Sequence, residues 1–123
     1  MKKITQFIRL DSEYSNFLAS MKVAYSSADR LPIAVNGLTG GAESAFVAET
    51  VWEAKKLSSR PVLILVESEG ERQRLTDILR SCGLNALGYK RRDLVFHNVK
   101  ASHDIDRERL SVLYSLALGE CDA

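Results

Sequence analysis

Pro32-Ile-Ala-Val-Asn-Gly-Leu-Thr-Gly-Gly-Ala-Glu-Ser44 is the stretch on which the reading of this chain turns. Its first four residues make a short apolar run that stops at Asn36-Gly37, the pattern of a buried strand ending in a tight turn. Behind it, from about Ala42 to Leu57, Phe46, Val47, Val51, Trp52 and Ala54 give a helical segment with a broad apolar surface. The loop between them is Gly37-Leu-Thr-Gly-Gly-Ala-Glu-Ser44. A working phosphate-binding loop reads G-x-x-x-x-G-K-[ST] in this same strand–loop–helix setting. Gly37, the inner pair Gly40-Gly41 and Ser44 stand at the right spacing, but Ala42 replaces the last glycine and Glu43 replaces the lysine.

Each replacement has a physical consequence. Such a loop holds phosphate because backbone N–H groups and a helix N-terminus converge on it while the lysine supplies positive charge. Losing the lysine forfeits a charge-assisted hydrogen bond of roughly 1.5–3 kcal/mol. A carboxylate in its place adds repulsion of about 4 kcal/mol at a separation of about 4 Å and an effective dielectric near 20. The sum is about four decades of affinity. Glu43 is expected to occupy the lysine's space, and the Ala42 Cβ to narrow the phosphate pocket. A plainer reading stays open, in which Gly37 to Gly41 is an ordinary turn and Glu43 is favoured by the helix dipole. Both readings agree that no triphosphate is turned over here, and neither expects a bound cofactor or a catalytic residue.

Outward from this loop the chain alternates. Ahead of it Tyr14, Phe17, Leu18, Met21 and Tyr25 recur at helical spacing, with Asp11 as the N-cap. Beyond it, Pro61-Val-Leu-Ile-Leu-Val66 reads as a parallel strand buried on both faces. Ser68 and Glu71 form a capping-box pair opening a helix with the stripe Leu75, Ile78, Leu79 and Cys82, and Gly83 takes its C′ position. Asn85 to Tyr89 reads as a third short strand, and Arg91 to His103 carries no strong period. A last helix is expected from about Asp104 to Leu118. The order β-α-β-α-β-loop-α predicts an α/β fold, a parallel sheet flanked by helices behind a leading helix. The organisation expected is a helical lead-in over residues 1–30 and one α/β unit over 31–123, read as a piece of a longer protein whose cut leaves apolar surface open to self-association.

With 123 residues, 46% hydrophobic and 27% charged, the chain is sized for one domain. A net charge of +1 sets up no global field toward nucleic acid or membrane. No apolar run approaches the roughly 20 residues of a membrane span. Met1-Lys2-Lys3-Ile4 starts like a signal segment, but Gln6, Arg9 and Asp11 interrupt it, so a cytoplasmic address is expected.

The remaining candidates are weaker. Glu67 ends an apolar run as a magnesium-binding acid would, though a polar residue at a strand end suffices. His97, His103, Asp104 and Asp106 lack the tight spacing of metal ligands, so no metal is expected. Lys90-Arg91-Arg92 is a compact basic cluster, a solvated loop or a patch for a nucleic-acid phosphate backbone, as in a DNA-binding helicase-like half domain, or for an acidic partner. Cys82 reads as an inert core thiol and Cys121 as an exposed one.

Two segments carry a resemblance. Leu31 to Ser44, with Pro61 to Val66 behind it, is similar to the start of bacterial transcription-repair coupling factors (Mfd). His103-Asp-Ile-Asp-Arg-Glu-Arg-Leu-Ser-Val-Leu-Tyr-Ser-Leu116 resembles that family's H-x-x-I-x-x-R-L-x-x-L-Y-x-L pattern. The resemblance covers nearly all of the chain from Leu31 onward. It implies a UvrB-like module of RecA-like fold with a degenerate phosphate loop. It also implies a non-catalytic scaffold that supports recruitment of UvrA to stalled RNA polymerase in DNA repair. The family's UvrA-contacting subdomain and its ATP-driven DNA motor would lie beyond these residues, so no UvrA contact is assigned to any position here.

Overall fold

The computed structural model describes residues 6–27, 32–91 and 99–123. A 3-10 turn, Gln6–Leu10, leads into four α-helices: α1 (Ser12–Ser26), α2 (Gly41–Leu57), α3 (Glu69–Ser81) and α4 (Val99–Ala117). Among the described residues there is no strand, so the expected parallel sheet, and with it the RecA-like α/β class, is corrected to an all-helical architecture.

The helices form where local chemistry demands them. The Asp11 carboxylate accepts from the N–H groups of Glu13 and Tyr14 at 2.7 and 3.2 Å, closing the start of α1. Ser68 Oγ accepts from Glu71 N–H at 3.2 Å at the start of α3. Glu71 answers by accepting from the N–H of Glu67, one residue earlier than a reciprocal capping box requires. At the end of α3, Gly83 has φ +84° and Leu84 N–H donates to the Leu79 carbonyl, a Schellman ending. Gly119, at φ +71° after α4, repeats that ending with Glu120 N–H on the Ser115 carbonyl. Helix α4 begins at Val99, five residues before the expected start.

The three strand-like runs are extended segments with no ladder between them. Pro32 to Val35 is exposed, Ile33 and Val35 included. In the second run the pleat alternates: Val62, Ile64 and Val66 pack on the core, whereas Leu63 and Leu65 are 84% and 85% exposed. An apolar run specifies burial on both faces only if elements lie on both sides. Here the helices in contact cover one face. Residues 120–123 lie between the second and third runs. Val62 N–H donates to the Asp122 carbonyl at 2.9 Å, while Asp122 N–H reaches Asn85 and Leu87 N–H reaches Ala123, both at 2.8 Å. These isolated bonds tie the segments without making a sheet.

The core joins α2 and α3 through Ala48, Val51, Leu75 and Leu79, with Cys82, Leu84 and Ala86 continuing it. Cys82 is buried as expected. Cys121 is buried too, against expectation, because the C-terminal residues turn inward; burial pushes its thiol up. At the other side of α2, Phe46 meets Tyr14 and Phe17 of α1 with ring centroids 5.6 and 4.8 Å away. Arg9 Nε donates to Glu49 Oε2 at 2.7 Å, so the N-terminal turn is also held by charge.

Candidate functional site

The glycine-bearing loop delivers the backbone into α2 through two residues that L side chains avoid. Gly37 has φ +84°, and Gly40, the N-cap of α2, has φ +56°. Nothing lies close enough to collide with a Cβ built at Gly37, Gly40 or Gly41. Gly37 and Gly40 therefore serve backbone conformation, not the close approach of a second group. Ala42 N–H donates to the Thr39 carbonyl at 3.2 Å, so one donor that a phosphate loop would aim at its ligand closes a turn instead. Gly40 contributes no side-chain cap, and Glu43 in the first turn of α2 is the acidic group facing the helix dipole.

A cavity of about 390 Å³ opens at this end of α2, where the start of α3 and the residues after Ile64 converge. Glu43, Ser44, Glu67, Glu71 and Arg74 form its polar wall, and Val47, Ile64 and Leu75 its apolar one. Ser44 is buried, and its hydroxyl accepts from Arg74 Nη1 at 2.9 Å. The other end of that guanidinium lies 4.0 Å from Glu71 Oε1. The site thus holds three carboxylates and one guanidinium, and the guanidinium already has partners. An anion entering it meets repulsion of order 4 kcal/mol from each carboxylate at about 4 Å, set against a single shared cation. Ser44, the residue that would contact magnesium in a working loop, is held by arginine.

The structure brings Glu43, Ser44 and Glu67 to one cavity, with Gly37 and Gly40 in the loop before α2 and Gly41 and Ala42 at the helix start, none of the four in its lining. Arg74 was missed, since its bond to Ser44 spans 30 residues and its only local signal is the i, i+3 relation to Glu71. The basic cluster lies only partly within the described residues. Lys90 Nζ pairs with Glu108 Oε2 at 2.5 Å, Arg91 is exposed, and Arg92 lies outside the described residues. His103 is exposed at the start of α4, and His97 lies outside the described residues. Among the described residues no group of three or more His, Cys, Asp or Glu could hold a metal, and no helix is long and apolar enough to cross a membrane.

Comparison with known proteins finds no matching family model, no similar curated protein and no similar solved structure.

Proposed function

We propose that this chain is a non-catalytic scaffold segment whose former or apparent phosphate loop has become a structural junction. The observation that carries the reading is the Arg74–Ser44 hydrogen bond inside a cavity walled by Glu43, Glu67 and Glu71. A hydroxyl engaged by arginine and a wall of carboxylates suit a joint between helices, not a nucleotide triphosphate. The resemblance of Leu31 to Ser44 and of His103 to Leu116 to transcription-repair coupling factors gives the scaffold its proposed setting. In that setting it holds a neighbouring interaction subdomain in place for recruitment of UvrA to stalled RNA polymerase, works in the cytoplasm and needs no cofactor of its own. Thermal denaturation with and without millimolar Mg-ATP tests the non-catalytic reading. An unchanged melting temperature agrees with it, whereas saturable stabilisation makes the chain a nucleotide sensor.

A further inference from the structure

Helix α4 packs against no other helix among the described residues; it is held by the 85–90 segment and by residues 120–123. This leaves a groove of about 400 Å³ between α3 and α4. Arg72, Thr76 and Arg80, at i, i+4 and i+8, bring one face of α3 to it, and α4 contributes Glu108 and Ser111. Leu87 and Gly88 line it between the two helices, with Lys90 beside them. A Cβ at Gly88 would meet the Arg72 guanidinium, which lies across the backbone there.

The cations of this groove differ in how they are partnered. Arg72 is held in a two-point contact by Glu69, and Lys90 by Glu108. Arg80 differs from both. Its Nε donates to the Ala86 carbonyl at 2.9 Å, which fixes the guanidinium, and it has no carboxylate partner among the described residues. The carboxylates of Glu69, Glu108 and Asp77 all act on Arg72, whereas Arg80 is anchored through Nε alone and makes no ion pair among the described residues. Planar guanidinium groups fixed in this way suit bidentate capture of a tetrahedral oxyanion.

We propose that the α3–α4 groove is an oxyanion site for a phosphate group, with Arg80 as the primary ligand and Lys90 as the second. The Lys90 ammonium swings between Glu108 and the bound anion, and the Ser111 hydroxyl is available as a further donor. A free phosphate and a phosphodiester backbone present the same chemistry, and the test separates them. Amide shifts of Gly88, Lys90 and Ser111 are followed by NMR during titration with inorganic phosphate, with chloride at matched ionic strength, and with a single-stranded oligothymidylate. The expected result is a saturable shift with phosphate but not chloride, weakened about tenfold or more in Arg80→Gln and in Lys90→Gln, and unchanged in Arg60→Gln. Tighter saturation of the same amides by oligothymidylate, steeply weakened by salt, supports the site and names a nucleic-acid backbone as its source. Because Arg80→Gln also loses the bond to Ala86, its spectrum is compared with that of Lys90→Gln, which leaves that bond intact. Absence of a saturable shift with either probe, or shifts that survive undiminished in both variants, would overturn the proposal.

Discussion

Arg74 Nη1 donates to the Ser44 hydroxyl at 2.9 Å, joining the first turn of α2 to the second turn of α3. That bond stands at the end of α2 where a phosphate loop would present its ligand. The structural role proposed for the motif around Glu43 rests on it. Around it, the fold rests on a small core between α2 and α3 and on two ties to more distant segments, and both ties are testable.

The first tie is Arg9 to Glu49. Glu49 is buried and Arg9 is partly exposed, so the carboxylate depends on the guanidinium for its compensating charge. Arg9→Ala is expected to lower stability by about 1–3 kcal/mol, because it strands a buried acceptor. The double variant Arg9→Met, Glu49→Leu should recover most of that loss. Urea unfolding of the single and double variants checks it, and additive losses would count against a coupled pair.

Tyr14 sets a pH dependence at the alkaline end. Burial, reinforced by the nearby Glu49 charge, pushes its hydroxyl up to about 12. The folded chain then keeps a proton that the unfolded chain releases near 10, so stability is complete below about pH 10 and declines as pH rises toward 12. The hydroxyl lies close enough to Thr50 Oγ1 to lower its pKa somewhat, yet among the described residues neither oxygen makes a hydrogen bond of ordinary geometry. Tyr14→Phe should therefore flatten the alkaline decline and leave neutral stability equal or raised by up to about 1 kcal/mol. A loss of more than that amount at neutral pH would show that the hydroxyl is bonded.

The C-terminal residues form the second tie. Burial pushes the Asp122 carboxyl up, but the ion pair with Lys55 at 2.5 Å and the Asn85 N–H outweigh it and hold the group below its ordinary value. The stabilisation is present above the ordinary aspartate range and is lost as pH falls through the lowered value. Asp122→Asn should speed amide exchange at Val62 and Leu87, whose N–H groups bond to residues 122 and 123, with little change at Leu79. Uniform faster exchange everywhere would instead indicate global destabilisation.

Leu63 and Leu65 separate the observed fold from the expected one. Both are more than four-fifths exposed, so Leu63→Ser and Leu65→Ser should each change stability by less than about 0.5 kcal/mol. A strand buried on both faces would lose roughly 2–5 kcal/mol at the same positions. Chemical denaturation reads the difference directly. Sedimentation on the double variant should also show less self-association than the unaltered chain, since two exposed leucines are removed from one extended segment.

What was legible in the sequence follows from the range of the interactions. Asp11, Ser68 and Gly83 announce helix ends because capping is settled within four residues. The stripes of α1 and α3 were equally readable, since helical hydrogen bonds are local. A strand exists only through its neighbour. Pro61 to Val66 has the composition of a buried strand, but among the described residues its one backbone bond to a distant segment is from Val62 to Asp122, some sixty positions away. The same limit hid Arg74 from Ser44 and Arg9 from Glu49, which is 40 residues distant. At the candidate site the motif singles out Glu43 and Ser44, whereas Arg74, which holds Ser44, carries no signal in it.

The account is tested most directly by calorimetric titration of the chain with Mg-ATP, beside the double variant Ala42→Gly, Glu43→Lys. It predicts no detectable heat of binding for the unaltered chain, with any gain confined to the variant, where a lysine replaces one of three carboxylates. Micromolar binding by the unaltered chain would contradict it, because the Arg74–Ser44 junction and the carboxylate wall would then have to yield to a triphosphate.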